Sequence, residues 1–265
     1  LSECTYLYAS RPKLQKVLGD PVWTTVTSLG IRDGRGHPEV LDLLTHPAMR
    51  SLRRVIGLDA SQMAELASRA EPLPWTDVTF QLSGREALPA PDRQRIAEGR
   101  GFAGLRTLSV DCQIWGRPHV PVSELGWLLK GQLVSRLETL RLAAVGTLVE
   151  VRAAVEPLAV RRLEVLGYWE SHFCTEPLGA RYLFTRDAQG KLRQLEVSWT
   201  PAHPLLYDSP SQVQAVANQL ATLAGDALAE VRVVVPGGLP VAPLEAAVRR
   251  LELERCEIVG EGAGG

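Results

Sequence analysis

The sequence predicts an α/β fold of stacked strand–helix units, with parallel strands on one face and mostly helices on the other. Three observations predict it. A short apolar pattern recurs nine times along the 265 residues. Most of the segments between its copies carry the spacing of amphipathic helices. The composition, 45% hydrophobic with 40 leucines and 22% charged, is that of a chain with a sizeable core.

The pattern is an apolar residue, two others, an apolar, one other, an apolar. It runs Val26/Leu29/Ile31, Leu52/Val55/Gly57, Trp75/Val78/Phe80, Leu105/Leu108/Val110 and Leu137/Leu140/Leu142. It continues with Val160/Leu163/Val165, Leu192/Leu195/Val197, Leu228/Val231/Val233 and Val248/Leu251/Leu253. In each copy the alternation makes a short strand with one buried face and one open face. Between the copies, Pro38–Leu44 starts with proline and an early glutamate, as helices prefer. Residues 61–70 place Met63, Leu66 and Ala67 on one helical face. Residues 123–133 do so with Leu125, Leu128, Leu129 and Leu133, and residues 211–223 with Val213, Val216, Ala217, Leu220 and Leu223. Ser123 and Ser211 are the expected caps. Residues 181–199 break the rhythm: two apolar runs flank Asp187-Ala-Gln-Gly190, which reads as a β-hairpin in place of a helix. Proline- and glycine-rich stretches at 71–75, 87–91 and 236–243 read as junction loops.

These nine units are the LxxLxL core of a leucine-rich repeat, and the chain resembles that family over residues 23–258. The last unit matches best, because Val248, Leu251, Leu253, Cys256 and Ile258 reproduce LxxLxLxxCxI. The fourth, with Cys112 and Ile114, is one residue short. Most units lack the inward Asn or Cys, and Gly57 stands where the second unit needs a leucine, so the resemblance implies an irregular repeat. It implies a curved solenoid with parallel strands on the concave face and mostly helices on the convex face, similar to the ribonuclease-inhibitor or bacterial types. Residues 1–22, with a helical run at 13–18, are the expected N-terminal cap, and 259–265 a flexible tail.

Composition excludes several functions. With 29 basic and 30 acidic residues and a net charge of −1, the chain lacks the basic footprint of a nucleic-acid binder. No run of about 18–20 apolar residues offers a membrane span. The first residues show no basic segment, apolar run and cleavage site of a secretory signal. Four scattered cysteines without a CxxC pair read as reduced thiols in a cytoplasmic protein. Arginine carries nearly all the positive charge, against four lysines and one asparagine, a composition typical of a high-GC bacterial genome.

Catalytic constellations are weak. The five histidines form no HExxH or zinc-spaced cluster, so no metal is expected. His172-Phe-Cys174 is the nearest approach to a nucleophile pair, and it lacks an orienting third group. Gly34-Arg-Gly36 and Gly99-Arg-Gly101 lack phosphate-cradle spacing and read as loop glycines, and no cofactor is expected.

The open strand face is the expected site of function. Its residues include Arg54, Ile56 and Leu58, then Asp111, Arg141, Arg162, Glu164 and Glu196, and finally Arg250, Glu252 and Glu254. Trp115, Tyr168, Trp169 and Trp199 follow strands and are expected at its rim, beside the arginines. Mixed charge with embedded Arg, Trp and Tyr suits a protein partner better than a lipid or a nucleic acid. Arg54, Asp111, Trp115, Arg141, Arg162, Glu164, Tyr168, Trp169, Glu196 and Trp199 are therefore the candidate partner-binding residues of a non-enzymatic recognition scaffold. The alternative is a recognition module of a larger effector or enzyme whose catalytic domain lies outside this chain. On this register Leu140 is core, and Arg141 is expected to matter little for stability.

Overall fold

The computed structural model describes residues 3–8, 20–32, 38–82, 88–111, 113–114, 117–118, 120–143, 146–166, 180–199, 210–223, 228–235, 239–251 and 253–260. The chain is α/β with a mostly parallel sheet. Its strands are β1 (Glu3–Tyr8), β2 (Ser28–Arg32), β3 (Arg54–Asp59), β4 (Asp77–Gln81) and β5 (Thr107–Asp111), then the short β6 (Gln113–Ile114) and β7 (Arg117–Pro118). They continue with β8 (Thr139–Ala143), β9 (Arg162–Leu166), β10 (Ala180–Arg186), β11 (Leu192–Trp199), β12 (Glu230–Val235) and β13 (Arg255–Gly260). The helices are α1 (Pro38–Leu44), α2 (Ala60–Ala67), α3 (Ala90–Glu98), α4 (Gly126–Leu129), α5 (Gln132–Ser135), α6 (Leu148–Val155), α7 (Pro210–Ala221) and α8 (Ala242–Val248). Two compact units divide them, Leu1–Asp111 with Leu125–Leu140, and Cys112–Glu124 with Arg141–Gly265.

In the first unit β1 to β5 lie side by side, all parallel. The apolar pattern fixes them: Leu29, Val55, Val78, Leu108 and Leu140 are wholly buried. Each such leucine contributes roughly 1.5–3 kcal/mol by leaving water. A backbone feature joins successive strands. The Thr27 carbonyl accepts N–H bonds from both Arg53 (2.8 Å) and Arg54 (3.0 Å). The Arg53 carbonyl does the same for Thr76 and Asp77, the Thr76 carbonyl for Arg106 and Thr107, and the Arg106 carbonyl for Glu138 and Thr139. Each acceptor follows the first apolar residue of its pattern, so the pattern sets the hydrogen bond as well as the core. Two lone pairs on one carbonyl make the double acceptance possible.

Helix starts are chosen by side chains that the sequence reading passed over. Asp59 makes a reciprocal capping box with Gln62 at the head of α2. Thr147 makes one with Glu150 at the head of α6, and the Thr147 backbone and hydroxyl hold the Glu150 carboxyl below its ordinary range. Ser123 and Ser211 are not caps but lie inside helical turns. The expected helix at 123–133 is broken into a 3-10 turn, α4 and α5. A Cβ on Gly131, at the break, would sit 2.6 Å from the Ala97 carbonyl oxygen, so α3 approaches too closely for any side chain there. Residues 87–91, expected as a loop, include the start of α3, where prolines at the first helical positions cost no bond.

In the second unit β9 to β13 adjoin in order, and β10 runs antiparallel to both β9 and β11. The hairpin is there as expected, but its first strand is part of the sheet. The hydrogen-bond chain registers the intrusion. Arg161's carbonyl accepts from Arg186 of β10 (3.3 Å), and the parallel pattern resumes at Arg193, whose carbonyl accepts from Ala229 (2.8 Å). Ala229's carbonyl then accepts from Glu254 and Arg255.

That last bond corrects the ninth unit. Its strand is β13, in which Cys256 pairs with Val231 and Ile258 with Val233. The pattern is therefore Leu253/Cys256/Ile258, five residues later than expected. Val248 ends α8 instead, with Leu244 and Ala247 buried beside it. Leu244, Ala247 and Val248 keep the spacings of three and four that a helix buries, and the proline at the start of α8 favours one. Arg250 and Glu254 are consequently not strand residues, Glu252 lies outside the described residues, and Cys256 is in the strand.

A second correction concerns Leu58, expected on the open face but wholly buried. Gly57 adopts φ +90° and inserts a register shift, so Ile56 pairs with Thr79 and Leu58 with Phe80. A Cβ on Gly57 would collide with the Ile31 carbonyl oxygen. Gly57→Ala should therefore cost at least about 2 kcal/mol, combining left-handed strain with a backbone clash. Gly190, at φ +77° with open space around its missing Cβ, supplies the control at about 1 kcal/mol. Urea denaturation checks the order, and equal losses would contradict the bulge.

Candidate functional site

The face opposite the buried rows collects the candidates, and each unit carries its own part. In the first unit, Arg54 stands half exposed with its Nε 3.9 Å from Asp77. Ile56, Thr79 and Ser109 form the next row, each half-buried. Asp111 closes β5 opposite Gln81, and its backbone carbonyl accepts from Leu82.

In the second unit the same face is a charge lattice. Glu164 of β9 is only 7% exposed, held between two guanidinium groups. Arg141 Nε donates to its Oε2 at 3.0 Å, and Arg181 of β10 reaches the same oxygen at 3.2 Å and Oε1 at 2.9 Å. Burial of a carboxylate is tolerated here because both its oxygens are paired. Across β11 to β13 the signs alternate: Glu196 faces Arg232 at 3.5 Å, Arg232 faces Glu257 at 3.5 Å, and Arg255 faces Glu230 at 3.6 Å. Arg162 differs from these. It is exposed, and among the described residues no ion pair engages it.

The candidates divide as follows. In the first unit Arg54 and Asp111 lie opposite its buried row, and in the second unit Arg141, Arg162, Glu164 and Glu196 lie opposite theirs. Trp199 does not: it shares the side of β11 with buried Leu195 and Val197, is half-buried, and faces buried Ala180 across the hairpin. Trp115, Tyr168 and Trp169 lie outside the described residues, as do Cys112, His172 and Cys174. Trp23 and Trp75 are core, with Trp75 6.0 Å from the Phe102 ring.

Sequence reasoning missed Arg181, Leu183 and Thr185, which join the face because β10 enters the sheet. It also missed Arg186, whose side chain reaches five carbonyls: Val160 and Gly190 at 2.6 Å, Leu158 at 2.6 Å, Glu156 at 3.2 Å and Val155 at 3.4 Å. Two of these, Val155 and the C-cap Glu156, belong to the C-terminal end of α6, where a cation complements both the orphan carbonyls and the helix dipole. Arg152 of α6 adds a bond to the Leu192 carbonyl at 2.9 Å, and Glu156 accepts from the Leu192 N–H. Together they clip the hairpin to the helix. The signal was available: Thr147-Leu-Val-Glu150 is a capping-box spacing, and it announces α6.

Among the described residues no set of three His, Cys, Asp or Glu could hold a metal. A hollow of about 200 Å³ in the first unit is lined by His46, Arg50, Arg69 and Glu71, but the His46 Nδ1 already accepts the Ala48 N–H. Burial pushes the Tyr182 phenol up and the Cys256 thiol up, away from nucleophilic character at neutral pH. No helix among the described residues is long and apolar enough to cross a membrane. Comparison with protein-family models, with curated proteins and with solved structures finds no match to this chain.

The expectation that Arg141 matters little for stability is revised by its bond to Glu164. Arg141→Ala should cost about 1–3 kcal/mol, the desolvation penalty of a buried carboxylate that loses one of two partners. Arg162→Ala should stay within about 0.5 kcal/mol, as an exposed change without a partner does. Paired thermal melts check this, and similar losses for both would contradict the buried pair.

Proposed function

We propose that the chain is a leucine-rich-repeat-like solenoid whose open strand face holds a protein partner, acting as a non-enzymatic recognition scaffold. The recurring apolar unit, the shared carbonyl that follows its first residue and the helix-lined buried side support the architecture. Fold alone does not name a function, so the binding role rests on the face.

One observation carries it. On the second unit nearly every charge is already compensated within the face, while Arg162 remains exposed opposite Thr185, with half-buried Leu183 next along the same side of β10. Arginine with a neighbouring apolar side chain is the composition of interface hot spots, and a compensated surround limits the desolvation that binding must pay. Arg141, Glu164 and Glu196 supply complementary polar contacts on the same unit, and Arg54 and Asp111 are the candidate contacts of the first. The dispersed cysteines and arginine-rich composition support the reading of a bacterial, cytoplasmic scaffold.

A pull-down from native lysate, read by mass spectrometry, tests the assignment with three chains: wild type, Arg162→Glu, and Glu65→Lys on the exposed side of α2. A protein recovered by wild type and Glu65→Lys but lost with Arg162→Glu is the expected result. Recovery of the same proteins by all three, or of none, would refute binding through this face.

A further inference from the structure

The free edge of β13 is the least finished part of the described molecule. β13 pairs with β12 on one side, and among the described residues no strand pairs with the other. Its helix-side row is uncovered too: Cys256 is a free, exposed thiol and Ile258 is only half-buried, whereas their neighbours Val231 and Val233 are wholly buried. An unprotected edge with apolar residues in its row is a template for another strand.

The pattern of charges on this edge selects the partner. Arg255 donates its N–H to Ala229 on the β12 side, so alternation turns the N–H and C=O of Cys256 and Ile258 to the free edge. A second β13 running antiparallel can then pair Cys256 with Cys256 of the other copy. In that register Arg255 of each copy lies directly opposite Glu257 of the other, at the close, non-hydrogen-bonded positions. Sliding by one pleat in either direction sets Glu257 against Glu257 or Arg255 against Arg255. The register centred on Cys256 therefore pairs opposite charges, and its neighbours do not. It also continues the alternation within each chain, since Arg255 already faces Glu230 and Glu257 already faces Arg232. The sign runs Glu230, Arg255, then Glu257, Arg232 of the second copy without a like-charged contact.

We infer that the chain forms a two-fold symmetric dimer by antiparallel pairing of β13 edges, centred on Cys256 and locked in register by two Arg255–Glu257 pairs. Both copies use the same patch, so the contact is closed and does not propagate into a filament. One strand pair buries little area, which makes the dimer a concentration-dependent one.

Sedimentation equilibrium of the whole chain tests it. Wild type should approach twice the 28.9 kDa chain mass as concentration rises. Arg255→Glu and Glu257→Arg alone should each weaken self-association by about tenfold or more, because like charges then oppose across the edge. Mixing these two variants should restore the dimer, since every cross-edge pair in the mixed species is again complementary. A second readout is independent of these variants: a short bismaleimide should cross-link wild type into a covalent dimer, and Cys256→Ser should not cross-link. A wild-type chain that stays monomeric, single variants that dimerise as wild type does, a mixture that remains monomeric, or cross-linking that survives Cys256→Ser would each overturn the inference.

Discussion

A carbonyl oxygen that accepts two backbone N–H groups from the next repeat, at Thr27, Arg53, Thr76, Arg106 and Ala229, is the constraint on which the rest of the molecule depends. It fixes the register of each strand against its neighbour at the residue where the strand begins. Because side chains alternate with a period of two, a slip of one residue would turn Leu29, Val55, Val78 and Leu108 out of the core together. The apolar pattern and the shared carbonyl therefore enforce each other: burial chooses which residues face the helices, and the bond chooses which residue starts. The same bond between Ala229 and the pair Glu254–Arg255 locates the ninth unit where side-chain spacing alone misplaced it.

The reversed strand β10 shows what happens when this chain of bonds is interrupted. Arg161's carbonyl is taken by Arg186, and the next parallel unit must begin again at Arg193. An inserted strand gains only its ladder bonds and Tyr182, Phe184 and Ala180 as buried residues, so additional anchoring is needed. Arg186 and Arg152 provide it by capping the end of α6 and binding the backbone of β11. The insertion also builds the face, because Arg181 arrives on it to share Glu164 with Arg141. Structure and candidate function thus meet in the same few arginines, some spent on holding the sheet and Arg162 left exposed.

Much of this was legible in the sequence. Eight of the nine apolar triplets fall where strands form, α1 has the expected bounds, and the apolar faces of α2 and α7 are buried as periodicity requires. The failures share a physical cause. Val248 stands four residues after Leu244 as well as three before Leu251, so it fits the end of a helix as well as the start of a strand pattern, and Pro243 and the Ala229 backbone bonds decide for the helix. Leu58 was misassigned because Gly57 was read as a missing leucine, when its lack of a Cβ is what lets the strand bulge against Ile31. Of the candidate site, Arg54, Asp111, Arg141, Arg162, Glu164 and Glu196 were placed on the correct side by alternation alone. That Glu164 is buried between two guanidinium groups was not legible, because the second, Arg181, arrives from a strand inserted between β9 and β11. Trp199 was assigned to the rim by its position after a strand, but parity puts it with Val197.

Amide hydrogen exchange, resolved residue by residue, tests the shared-carbonyl account most directly. The account predicts strong protection at the paired amides Arg53/Arg54, Thr76/Asp77, Arg106/Thr107, Glu138/Thr139 and Glu254/Arg255, with both members of each pair slow. Exchange at unstructured rates for the first member of each pair, or protection centred on Arg250 in place of Arg255, would contradict it.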